Sequence, residues 1–339
     1  MRPSLGPAGG ILLALAFLAL AGLVAFSIGA YPVSLPELAR WFWSLATGQP
    51  SDLPDSTLLV ITQIRGPRIV TAMLVGASLA AAGAAYQGLF RNPLVSPDIL
   101  GVSSGAALGA VLGIFLSLPF LAIQGMAFLG GLGAVGIVYG IAATLRGRDP
   151  ILILVLAGIV IGTLLGSGIS MIKVLADPYN QLPAITFWLL GSLSAVNRDD
   201  LLTVLPLTLL GLVPLALLHW RLNVMSFGEE EARALGVNTT RVRLAVIAAA
   251  TLMTAAVVAI SGVVGWIGLV VPHLARLLVG PSFGRLLPTA TLFGAAFLLL
   301  VDTLARTLGP TEIPLGVLTA IIGAPIFIWL LATSRRHWQ

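Results

Sequence analysis

Cysteine is absent from the 339 residues, which excludes disulfides, thiolate metal sites and catalytic thiols. Charge is scarce too, at 9% of residues, and lysine occurs once, at Lys173. A Walker A loop needs a lysine beside Ser or Thr after a glycine-rich turn. Lys173 instead follows Met171-Ile172 inside an apolar run, so the chain cannot hydrolyse ATP itself. Histidine is limited to His219, His273 and His337, each near the end of an apolar run, with no paired carboxylate and no i, i+4 partner to hold a metal. Interface hydrogen bonding is their default reading. Acids are missing from mid-run positions, where a proton-driven carrier keeps them at a cost of several kcal/mol. Asp302 is the one candidate, close to a helix end and one turn from Arg306, with which it can pair. The surplus of five positive charges forms no basic run, so nucleic acid is not an expected partner.

What is present is apolar: 58% hydrophobic residues and a mean hydropathy of +1.04, far outside the range of soluble domains. About 20 apolar residues cross a hydrocarbon core of roughly 30 Å as a helix. A closed barrel would need short alternating strands, and the sequence shows none. The pattern therefore predicts an all-α polytopic membrane protein, one transmembrane domain over 1–339. About ten spans are expected, near 8–28, 69–89, 99–118, 120–144, 151–175, 201–219, 244–261, 263–280, 287–305 and 313–332. The first reads as a retained helix, because its core is long for a signal peptide and Ile28-Gly29-Ala30 is a poor cleavage site.

With the N-terminus placed in the cytoplasm, twelve of the eighteen Lys and Arg fall inside: Arg2, Arg91, Arg146, Arg148, Arg221, Arg233, Arg241, Arg243, Arg276, Arg285, Arg335 and Arg336. Six fall elsewhere: Arg40, Arg65, Arg68, Lys173, Arg198 and Arg306. This bias predicts both termini inside. Trp220 and Trp338 sit near the inner interface, and Trp41 and Trp43 belong to an outer amphipathic segment, 34–47, expected along the membrane surface.

Glycines recur every four residues at Gly101, Gly105, Gly109 and Gly113, and again at Gly158, Gly162 and Gly166. Such bare stripes let helix backbones approach closely, or line a smooth conduit for a bulky solute; spacing leaves both readings open. Prolines within spans, at Pro206, Pro214, Pro272 and Pro325, read as bends or hinges. Gly101-Val102-Ser103-Ser104-Gly105 matches a nucleophile elbow, but that motif needs a strand-to-helix turn and here opens an apolar helix, so it reads as coincidence. The one dense island of charge is Ser226 to Arg243, with Glu229, Glu230, Glu231, Arg233, Arg241 and Arg243. It reads as a water-facing helix between two spans, within a cytoplasmic loop over 221–243.

Several blocks, in order, resemble the FecCD family of ABC importer permeases: Arg65-Gly66-Pro67-Arg68; Gln87-Gly88-Leu89-Phe90-Arg91-Asn92-Pro93-Leu94 followed by Pro97 to Gly105; Phe187 to Leu193; Gly268 to Arg276; and Asp302 to Arg306 with Glu312 to Val317. The resemblance covers nearly the whole chain. It implies ten helices per subunit, a homodimer in a bacterial inner membrane, two cytoplasmic ATPase subunits and a soluble substrate-binding protein. Cargo would be an iron chelate, with ferric siderophore first, haem second and cobalamin as alternative. The permease itself would bind no cofactor; ATP and Mg belong to the partner ATPase.

The resemblance also implies roles for residues. The segment Glu229, Glu230, Glu231, Ala232, Arg233, Ala234, Leu235 and Gly236 would couple to the ATPase, although the Ile-x-Leu-Pro tail of the importer signature is missing. Arg65, Arg68 and Arg306 would face glutamates of the binding protein; lipid snorkelling is the competing reading. Asn92 and Leu94 would stand at a cytoplasmic gate; the stripe of Gly158, Gly162 and Gly166, read from its spacing alone, is the candidate lining of the path. A rival of another class, an ATP-independent secondary carrier, would rest on a buried acid and work without any ATPase.

Overall fold

The computed structural model describes residues 7–29, 31–145 and 150–334. Arg2, Arg146, Arg148, Arg335, Arg336, His337 and Trp338, which enter the sidedness and interface readings, lie outside those residues, as does Ala30. Lipid offers the backbone no hydrogen bonds, so an apolar chain must satisfy itself within helices. The described residues do so without a strand. They form α1 (Pro7–Ser27), α2 (Leu35–Thr47), α3 (Asp55–Leu59), a π-helical turn (Val60–Arg65), α4 (Gly66–Leu89), a 3-10 turn (Pro97–Leu100), α5 (Val102–Phe115), α6 (Phe120–Thr144), α7 (Pro150–Leu175) and α8 (Gln181–Leu190). There follow α9 (Arg198–Leu217), α10 (His219–Met225), α11 (Glu229–Ala234), α12 (Thr239–Ser261), α13 (Ile267–Val279), α14 (Phe283–Thr307) and α15 (Leu315–Ser334).

All ten expected spans are helical, but eight are long and apolar enough to cross a membrane. The other two, α5 and α13, have 14 and 13 residues, about 20 Å at 1.5 Å per residue, against a core of roughly 30 Å. Each is cut short at its N-terminus by left-handed backbone. Gly101 has φ 80° before α5, and before α13 Gly262 has φ 66° and Trp266 has φ 72°. Conversely, α4 starts earlier than expected, because α3, the π turn and α4 run on as one 35-residue helix. Pro67 cannot donate a backbone hydrogen bond, and the widened turn ahead of it accommodates its ring. The Gly66 amide there reaches back to the Ile61 carbonyl, and a Cβ at Gly66 would stand 2.6 Å from that oxygen. The ten-residue α8 was not expected.

The centre of the molecule is α4, α12 and α14, which bury most of their surface, whereas α1, α6, α7, α9 and α15 are largely exposed. Glycine sets the closest approaches. A Cβ at Gly76 would overlap the Gly294 carbonyl on α14, and one at Gly294 would overlap that of Gly76; Gly83 stands likewise against Gly268 of α13. On α5, Gly105 abuts Gly130 and Gly109 abuts Met126, both on α6. Close approach lets dispersion of about 0.1–0.2 kcal/mol per atom pair add up along a whole helix face. Packing is thus the outcome for the first stripe. Pro272 leaves the Gly268 carbonyl without its helical donor, and buried Gln87 of α4 fills in, its Nε2 lying 3.1 Å from the Leu269 oxygen and 3.5 Å from that of Gly268. Helices continue through Pro206, Pro214, Pro272, Pro288 and Pro325.

Two opposite faces result. One carries α2, capped by a reciprocal Ser34–Glu37 box, together with the start of α3 and the end of α14. The other carries α10, α11 and the turn that follows α4.

Candidate functional site

On the α2 face, Arg68 and Arg306 form one network with Asp302 and Glu312, and Arg65 lies buried apart from it. Arg68, in the first turn of α4, places Nη2 2.8 Å from Asp302 Oδ1 and Nη1 2.7 Å from Glu312 Oε1. Asp302, fully buried on α14, also lies 3.3 Å from Arg306 Nε one turn on, and Arg306 Nη2 donates to the Ala25 carbonyl at 3.2 Å. Arg65 is 5% exposed and donates to the carbonyls of Phe26 and Tyr31. The sequence reading expects these arginines to meet glutamates of the binding protein; within the chain itself they bond inward. All three guanidiniums turn inward, because burial at the end of a span leaves their donors only carbonyls and carboxylates of the same chain. The pairing of Asp302 with Arg306 was legible; its sharing with Arg68, 234 positions away, was not. Glu312, 40% exposed in the loop before α15, accepts two hydrogen bonds from Arg68, which hold its carboxyl below the ordinary carboxylate range. It is the exposed rim of the network.

On the opposite face, α10 and α11 form a short hairpin rooted in the core. Ala232 and Val237 are buried, and Glu229 pairs with Arg243 of α12 and lies 3.6 Å from Arg233. Glu230, Glu231, Arg233 and Leu235 face outward, and Gly236 ends the helix in a left-handed conformation with φ 80°. Asn223 of α10 accepts the backbone N–H of Phe283 at 2.7 Å, capping α14 from another element. The charged island divides: α11 is the solvated helix that the sequence indicates, whereas Arg241 and Arg243 belong to the start of α12 and Arg243 is buried; the ties of the hairpin to α12 and α14 are new.

The turn after α4 brings Asn92 and Leu94 to the same face. Arg91 takes φ 49°, and the Asn92 side chain accepts the Leu94 amide at 2.9 Å, an Asx turn that holds Leu94 exposed. Of the α7 glycines, Gly158 abuts the Ile99 carbonyl and Gly162 lies 3.7 Å from Ser104 Oγ at the Cβ position, so both pack against the start of α5. Only Gly166 faces open space. The stripe thus divides: two positions are packed and one is free. Gly101 to Gly105 opens α5 with no strand before it, and Ser103 hydrogen-bonds Asp98 rather than a base. His219 Nδ1 lies 2.8 Å from the Ala216 carbonyl, and no metal-binding group of three or more His or acidic residues occurs among the described residues.

Residues 15–333 match the model of the FecCD transport family. The molybdate import system permease protein MolB of Haemophilus influenzae is 40% identical over 319 residues, 94% of each chain. The hemin transport system permease protein HmuU of Yersinia pestis is 38% identical over 93% of this chain and 94% of its own. Among solved structures, an inward-facing metal-chelate type ABC transporter superposes with a TM-score of 0.86 at 38% identity, covering 95% of this chain and 98% of that one.

Proposed function

This chain belongs to the FecCD transport family, and we propose that two copies of it form the membrane passage of an ATP-driven importer for an iron chelate. It is a multi-pass ABC importer permease subunit, a transport component and not an enzyme. A partner ATPase and a substrate-binding protein follow from membership of the family. The cargo we favour is a ferric siderophore, then haem, with cobalamin as the alternative. The metal-chelate neighbour and the hemin relative support that order, while the molybdate relative widens the field.

The observation that carries the reading is the α10–α11 hairpin. Its inner side is tied to two core helices, and its outer side offers charge of both signs around exposed Leu235, which suits a rigid cytoplasmic partner that moves as a body. In this reading the α11 face is cytoplasmic, as are both termini, and the α2 face meets the binding protein outside a bacterial inner membrane. Arg68 and Arg306 then serve docking through their network, and Arg65 through the segment from Phe26 to Tyr31 that it holds. A carboxylate of the binding protein would approach at Glu312 and share Arg68, steering and registering more than tightening. Asn92 and Leu94, doubled about a dimer axis, would close the inner exit, and Gly166 would leave the path smooth above it.

The test is uptake by the chain reconstituted with its partner ATPase and binding protein. Ferric siderophore should enter only with ATP and binding protein together, and haem, cobalamin and molybdate should be offered in parallel. Uptake with no ATPase, collapsed by an uncoupler, would instead make the chain a secondary carrier.

A further inference from the structure

Where the end of α4 meets the starts of α7 and α11 and the α12 helix, a cavity of about 210 Å³ opens on the α11 face. Arg91 and Arg243 line it, with Glu229, Ile151 and Met225 completing the argument for its place: it touches the gate turn, the root of the α11 hairpin and a core helix at once. Arg243 is only 7% exposed, and its Nη2 donates to Glu229, but its Nε has no hydrogen-bond partner among the described residues. A buried, charged N–H without an acceptor is a costly state that native folds avoid. Glu229 does not relieve it, being engaged by the other end of the guanidinium and approached by Arg233. Arg91 reaches the cavity from a left-handed residue that holds it at the mouth, exposed to solvent.

Among the described residues, two guanidiniums face one carboxylate, a balance that favours an anion over a cation. Their planar forks suit an oxyanion with several acceptor oxygens. We propose that this cavity binds a phosphate-class oxyanion, which accepts from Arg243 Nε and from Arg91 and so ties the turn after α4 to α12. The bound anion competes with Glu229 for Arg243, and its occupancy thereby sets how firmly α11 is anchored. Its source is either the phosphate of an anionic phospholipid headgroup, reached where α4 ends and α12 begins, or free phosphate. The site stands on the cavity and its two arginines, independently of the cargo and of the importer reading.

The test uses the full chain purified in detergent and stripped of lipid. Inorganic phosphate should raise its thermal unfolding midpoint saturably, chloride at equal ionic strength should not, and Arg91→Gln and Arg243→Lys should each need about tenfold more phosphate. Arg91 is exposed, so its variant keeps the fold; Arg243→Lys keeps a charge beside Glu229 but lacks the Nε donor. A second arm separates the sources. Native mass spectrometry of chain extracted from membranes should show phosphatidylglycerol retained and lost from Arg243→Lys if the source is lipid, with phosphatidylcholine unable to replace it. A phosphate response without retained lipid assigns the site to free anion. No phosphate-dependent shift together with no retained anionic lipid, or equal responses in wild type and both variants, overturns the proposal.

Discussion

At the scale of the residue, Asp302 decides whether two cations can sit buried together under the α2 face. Its carboxylate is fully buried between Arg68 and Arg306. Asp302→Asn removes the charge and leaves Arg306 with only neutral acceptors, so stability should fall by about 3–5 kcal/mol, the usual cost of breaking a buried pair from one side. Adding Arg306→Met should restore part of that loss, because it removes the orphaned cation. Thermal unfolding of both variants in one detergent checks it, and a double variant less stable than the single would refute the account. The sequence exposed half of this network. Asp302 and Arg306 lie one turn apart on a helix, a spacing that any reading can use, whereas Arg68 and Glu312 join through the packing of α4 on α14, which no local spacing encodes. The same limit explains why Arg65 looked free: nothing near it in the chain announces the carbonyls of Phe26 and Tyr31 that it serves.

At the scale of the element, the apolar runs identified ten helices, eight of them long enough to cross a membrane, but not their lengths, since hydropathy continues smoothly through left-handed breaks such as Trp266. The α8 helix escaped because ten residues carrying Pro183 and ending at Gly191 are too short for a crossing and too interrupted for a clear period. Glycine shows the same division. Four-residue stripes were visible, yet the tightest contacts of α4 use Gly76 and Gly83, seven apart and so on one face, against Gly294 and Gly268. This yields a paired expectation. Gly83→Ala drives a methyl group into backbone of α13 and should cost about 1–3 kcal/mol, the range for overpacking. Gly166→Ala, with nothing within 4 Å of its Cβ, should leave stability within about 0.5 kcal/mol. Unfolding midpoints measure the contrast, and equal losses at both positions would mean that α7 is packed where the structure has it open.

At the scale of the whole molecule, an ATPase that grips the α11 face as proposed must pass its motion into the core helices. Two physical links leave the hairpin: Glu229 to Arg243 of α12, and Asn223 to the first amide of α14. Both end on helices of the buried centre, so the hairpin cannot tilt without taking them along. Interiors this closely packed transmit displacement rather than absorb it. Attachment and transmission should then be separable by substitution. Leu235 is 61% exposed and packs little of its surface within its own chain, so Leu235→Ser should weaken ATPase attachment without lowering the unfolding midpoint. Asn223→Ala removes a helix cap worth about 1 kcal/mol, keeps the outer surface of α11 intact, and should leave attachment normal while uptake per ATP hydrolysed falls. Co-purification with the ATPase and the ratio of uptake to hydrolysis in proteoliposomes read the two effects. If Leu235→Ser retains the ATPase, the partner grips elsewhere; if Asn223→Ala transports with unchanged coupling, α12 alone carries the motion.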